Sequence, residues 1–313
     1  MRRRAWSRAA RTRVEGRGGA PHVRRGRGGV RRAGILLAAI VLAWFMGGVL
    51  EAARPTFDGE AVYHRATNTA GAVLLFKPVS QDTQKLETVL APFILQSTGA
   101  GAGEVARQRA AFGVPLPGAA GSSAVVYFRA GTTPWGGVVH TQMMYLWLYA
   151  GGEADEALPA QGVRITLNRQ GFPVIWEMLA APQGRQEVYV AGSVEHASLR
   201  HFGGRLPGRR FAVEPAVAEA PALVMPLVVE DGPVVFGPMV YLEGRTRGPH
   251  AVICRCMPAL ATAIVDTVYY RLEQWPADAA RQLRRRRDGA RVMRMLEVWE
   301  RQPVAQRLRL APP

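Results

Sequence analysis

The sequence predicts an α+β protein: a mainly antiparallel β-sheet or sandwich followed by C-terminal helices and preceded by one N-terminal transmembrane helix. Three features point there. Ala33 to Leu50 is a run of eighteen residues without a charge. The middle of the chain consists of short apolar runs bounded by Gly, Pro, Asn and Asp. Toward the C-terminus the apolar spacing lengthens from two residues to about 3.6.

Residues 1–32 form a basic arm with twelve arginines and one acid, Glu15. Residues 281–313 hold ten arginines against Asp288, Glu297 and Glu300. These ends contribute +11 and +7 to a net charge of +16, so the stretch between them carries −2. The high pI therefore describes two tails, and no nucleic-acid partner is expected. The Gly-Arg runs of the arm read as disordered and cytoplasmic.

The segment "AGILLAAIVLAWFMGGVL", residues 33–50, spans about 27 Å as a helix, close to the hydrocarbon thickness of a bilayer. Nine of its residues are Leu, Ile, Val or Phe, which favours insertion by a few kcal/mol. A cleaved signal peptide has a shorter core and small residues at its cleavage site, whereas the exit here is "GGVLEAARP". An uncleaved single-pass signal anchor is expected. The arginine excess before it keeps the N-terminus cytoplasmic and makes residues 51–313 extracytoplasmic.

Residues 51–122 form the first part of the exported domain and include a Gly/Ala-rich break over 97–123. The run "GAGAG" lies in that break, before a candidate helix. A dinucleotide loop beginning at Gly99 needs a glycine where Glu104 stands, so the run is read as a loop.

A β-rich core is expected over 123–258. "SAVVYFR" reads as its first strand, and "GVVHTQMMYLWLYAGG", apolar on both faces, as a central one. "GVRITLNRQGFPVIWEML" is a hairpin in which Val163, Ile165 and Leu167 alternate with Arg164 and Thr166 around the turn "NRQG". "QEVYVAG" is a shorter strand. A second hairpin is expected to fold at "EDGP", residues 230–233, and "AVICRCM" is read as the last strand.

Residues 259–313 are expected to be helical and Arg-rich. Ile264, Val268, Leu272 and Trp275 recur at helical spacing before Pro276. A second helix over about 279–301 places Val292, Leu296 and Trp299 on one face. Its arginines form a solvated face that can also meet anionic lipid headgroups.

No strong catalytic motif is present. The chain lacks G-x-S-x-G and a phosphate-binding G-x-x-x-x-G-K-[ST], and His196 and His201 are five residues apart, not the four of a helical zinc pair. Glu177, an acid in an apolar strand, either has a raised pKa or alternates outward beside Trp176. No catalytic or cofactor-binding residues are assigned.

Two constellations remain. Strand alternation puts Met143, Tyr145, Trp147 and Tyr149 on one side and His140, Gln142, Met144, Leu146 and Leu148 on the other. Tyr145, Trp147 and Tyr149 read first as half of a sheet core and second as a stacking surface for sugars or lipids. Both cysteines lie in "HAVICRCM", where His250, Cys254 and Cys256 share strand parity. Three N/S donors suit zinc or copper, with His140 a further candidate. A disulfide between residues two apart in a strand sits at or beyond the upper limit of Cα spacing, so burial as structural thiols is the first expectation, with a strained redox-active pair second and a metal site third.

Two functions follow. The first is a membrane-anchored extracytoplasmic domain without catalysis, binding a protein, lipid or glycan partner in the envelope. The alternative is a metal- or thiol-dependent envelope protein centred on His250, Cys254 and Cys256.

Overall fold

The computed structural model describes residues 73–311 except 80, 81, 83, 100, 119, 120, 122, 151–156, 180–185, 233, 234, 255–263 and 302. The expected basic arm and membrane anchor lie outside the described residues. In chain order the elements are β1 (Val73–Pro78), α1 (Leu86–Val89), β2 (Phe93–Ser97), α2 (Ala102–Ala111), β3 (Val125–Trp135) and β4 (Val138–Leu148). There follow β5 (Ala160–Leu167), β6 (Pro173–Met178), β7 (Gln186–Ala191), α3 (Gly192–Phe202), β8 (Leu223–Val224) and β9 (Val228–Val229). The chain ends with β10 (Pro238–Leu242), β11 (Pro249–Cys254), β12 (Ile264–Gln274), α4 (Ala279–Leu283), α5 (Gly289–Arg301) and a 3-10 turn at Val304–Gln306.

The strands form one mixed half-barrel sheet in the order β11, β10, β2, β1, β12, β3, β4, β5, β6, β7, β8, with β9 also pairing β7. Its centre is the meander expected from sequence. β3 to β7 pair antiparallel in succession, and the β5–β6 hairpin turns at Asn168 to Phe172. The rest departs from an antiparallel sheet. β12 runs parallel to both β1 and β3, β10 runs parallel to β2, and β8 and β9 run parallel to β7.

The largest correction is β12, where a helix was expected. Residues 264, 268 and 272 satisfy a four-residue helical step, but 268 and 272 are equally in phase on one face of a strand, and the pairing with β1 shifts register between 264 and 266. Val268 and Leu272 pack on the main core with fully buried Tyr270, while Tyr269 on the other face is 54% exposed. Ile264, Val265, Thr267, Val268, Tyr269 and Tyr270 are β-branched or aromatic, and two neighbouring strands supply the pairing. "AVICRCM" is accordingly not the last strand.

The expected hairpin at "EDGP" does not form either. β9 goes to β7, whereas β10 goes to β2 and β11. Asp231 is held by α3 through Ser193, and Pro226 and Pro238, which lack an N–H, flank the short ladder segments.

The second C-terminal helix is split. α4 and α5 are separated by Arg284 to Asp288, where the Arg286 guanidinium binds both oxygens of Asp288 at 2.9 Å and the Tyr149 carbonyl at 2.6 Å. Arg284, Arg285 and Arg287 remain exposed on this turn. Gly289 sits where a side chain would collide with the Leu283 carbonyl.

Two apolar layers cover the sheet. Leu146, Leu148, Val125, Tyr127 and Ala160 pack against Leu283, Val292, Met295 and Trp299 of the helices. On the opposite side Met143, Tyr145, Trp147, Tyr149, Val163 and Ile165 join Phe76, Ile94 and Phe112 in the principal core. Trp299 comes so near β5 that a Cβ on Gly162 would lie 2.5 Å from the Tyr145 carbonyl and 3.2 Å from the indole.

Candidate functional site

Tyr145, Trp147 and Tyr149 have no exposed surface. Trp147 donates to the Tyr149 hydroxyl at 3.0 Å, which donates to Gln96 at 3.2 Å, and Phe112 meets the Tyr149 ring edge-on. A stacking surface needs exposed ring faces, so this row serves as core. Arg247 lies 4.2 Å over the Tyr149 ring, in a left-handed backbone at φ 61°. Burial raises the Tyr149 pKa and lowers that of Arg247.

His250 is exposed, at the point where β11 shifts register against β10: Leu242 faces Pro249 and Tyr241 faces Ala251. Val252, expected to share its face, is fully buried. The strand parity that aligned His250 with the thiols is interrupted by this irregularity. The Cys254 side chain and all of Cys256 lie outside the described residues. Among the described residues no group of three His, Cys, Asp or Glu side chains could hold a metal ion. His140 is buried, its Nδ1 2.8 Å from the Leu167 carbonyl and its ring 4.5 Å from that of Trp135.

Glu177 neither faces solvent nor stands alone in apolar surroundings. It takes a bidentate bond from Arg164, at 2.5 and 2.8 Å, with both side chains buried. Arg164 also donates to the Trp299 carbonyl at 2.9 Å, and Glu177 accepts the Val304 N–H at 2.6 Å. The pair thus ties the end of α5 and the turn after it to the sheet. Arg164 is buried because the helices cover that face.

A cleft of about 310 Å³ opens beside the β5–β6 hairpin. Its walls combine Phe172, Trp176 and Phe236 with the polar side chains of Asn168, Gln170, Ser193 and Asp231. Each wall is fixed locally. Asn168 Oδ1 accepts the N–H groups of Gln170 at 3.0 Å and Phe172 at 2.9 Å, closing the hairpin turn. Asp231 accepts Ser193 N–H at 2.7 Å and Ser193 Oγ–H at 2.5 Å, satisfying a free donor in the first turn of α3. Trp176 is 4% exposed, and its buried indole N–H has no acceptor among the described residues. Leaving a buried donor unpaired costs about 1–3 kcal/mol.

The volume lies within the range of small-ligand sites, about 300–1,000 Å³, and aromatic walls with a few polar groups are typical of them. Among the described residues no Lys, Arg or His lines the cleft, and the one carboxylate there already holds Ser193. Sequence reasoning missed this site because its residues come from three separate segments. Asp231 resembled a turn residue, and Phe172 the start of a returning strand. The available signal was an aromatic directly after the turn glycine, in "RQGFP".

No family model, curated protein or solved structure matches the chain.

Proposed function

We propose that the chain is a single-pass membrane protein whose C-terminal domain is extracytoplasmic and acts by binding rather than by catalysis. The carrying observation is the cleft of about 310 Å³ walled by Phe172, Trp176 and Phe236. Among the described residues its sole carboxylate is occupied in fixing α3, an arrangement that holds a ligand in place without an acid–base pair to transform it. The charge-free segment 33–50 and the arginines before it support the anchor and its orientation. Among the described residues no helix is long and apolar enough to cross a membrane. The exposed Arg284, Arg285 and Arg287 support a secondary contact with anionic headgroups.

A thermal-shift screen of the full chain tests the binding role, using neutral, anionic and cationic small molecules. At least one class should raise the melting temperature saturably, and Phe236→Ala, at an exposed cleft residue, should abolish that shift. Stabilisation by none of the classes would contradict the proposal.

A further inference from the structure

Asp231 is exposed in the wall of the cleft and carries the only negative charge among the described residues that line it. Both its bonds go to one residue: Oδ2 accepts the Ser193 N–H at 2.7 Å, and Oδ1 accepts the Ser193 hydroxyl at 2.5 Å. Among the described residues no Lys, Arg or His pairs with it. That sets it apart in a chain with 40 Lys and Arg against 24 Asp and Glu, where Glu177 pairs with Arg164, Asp266 with Arg109, Asp288 with Arg286 and Glu300 with Arg129. The N-terminus of α3 supplies roughly half a unit of positive charge, so the cleft keeps a net negative one.

We propose that the cleft binds an organic ammonium ion, with its charge beside the Asp231 carboxylate and its alkyl groups against the rings of Phe172 and Phe236. This rests on the binding role proposed above and names its ligand class. A carboxylate has roughly four acceptor sites, and Ser193 fills two of them on Asp231, so the others stay open to a cation. Phe236 is 38% exposed, which leaves ring surface for a guest, and aromatic rings attract ammonium groups through their quadrupole. A bare metal ion is served less well. Calcium takes about six to eight oxygens, whereas Asn168 Oδ1 already accepts two N–H groups and no group of three His, Cys, Asp or Glu that could hold a metal is present among the described residues. An anion meets a like charge, with no cationic side chain among the described walls to offset it. A neutral ligand leaves the charge of Asp231 unanswered.

The test is isothermal titration of the full chain in a non-ionic detergent. Choline and butylammonium are the cationic probes, and the comparisons are acetate, calcium and neohexanol, the uncharged carbon analogue of choline. At least one ammonium should bind with a Kd of roughly 1 mM or tighter, and neohexanol at least about tenfold more weakly than choline. The alcohol comparison needs no variant. Asp231→Asn keeps an oxygen to accept from Ser193 and removes the charge, so it should weaken ammonium binding about tenfold. Phe236→Leu, which keeps apolar bulk and removes the ring, should weaken it about two- to fivefold. Val139→Ala, at an exposed position outside the cleft walls, should leave it unchanged. Equal affinity for choline and neohexanol would overturn the proposal, as would an ammonium affinity unaltered in Asp231→Asn. If neohexanol, acetate or calcium binds in place of both ammonium ions and Phe236→Ala abolishes it, the cleft is a binding site and only the ligand class is wrong. Absence of binding by every probe removes both readings.

Discussion

Arg164 and Glu177 show how much one pair of side chains can hold. Their mutual bonds, the Trp299 carbonyl and the Val304 N–H join two strands to the end of α5. Removing one partner strands a buried charge, so Arg164→Met should destabilise the fold by about 3–5 kcal/mol, measured by chemical denaturation. Arg164→Met combined with Glu177→Leu should recover much of that loss; a double variant less stable than either single one would show that the pair does more than cancel its own charges. The sequence could not announce this pair. The register of β5 with β6 sets Arg164 opposite Glu177, but whether that face meets water or a helix depends on α5, more than a hundred residues away. The buried tyrosines make a second residue-scale prediction. Burial raises the pKa of Tyr149 and Tyr189 above 10.0. The folded state therefore binds these protons more tightly than the unfolded chain, and its advantage persists below pH 10.0 and declines above it. Tyrosinate absorbance should show these two rings ionising only together with alkaline unfolding; their titration near pH 10 in the intact fold would contradict this burial.

At the scale of elements, legibility followed the range of the contacts. β4, β5, β6 and β7 pair with chain neighbours across short connections, and their alternation and turn residues revealed them. β12 was misread because Val268 and Leu272, which pack on the core, fit both periods; only its β-branched and aromatic content favoured a strand. Its partners β1 and β3 are remote in sequence, and local patterning does not specify a parallel neighbour. The contact of α5 with β5 is equally specific. Gly162→Val should push Trp299 off the sheet and lower stability by about 1–3 kcal/mol, visible as a lower melting temperature. A neutral result would mean that α5 shifts freely there. The turn between α4 and α5 presents Arg284, Arg285 and Arg287 to solvent, so exchanging the three for Gln should weaken association with phosphatidylglycerol vesicles. The loss should approach about 1 kcal/mol per arginine and shrink with added salt. Unchanged, salt-independent association would remove that surface from consideration.

For the whole molecule, charge placement said more than total charge. A net +16 resolves into two basic ends around a nearly neutral middle, consistent with a tethered domain rather than a nucleic-acid binder. The cleft was the least legible feature, since the β5–β6 hairpin, the start of α3 and the connection between β9 and β10 meet only in the folded sheet. The proposed binding role presupposes that this cleft lies outside the cytoplasm. Paired reporter fusions at Pro313 test that placement most directly, with alkaline phosphatase active only after export and a fluorescent protein that folds only in the cytoplasm. An exported domain predicts phosphatase activity without fluorescence, both measured on membrane-bound fusion. Fluorescence without phosphatase activity would contradict it.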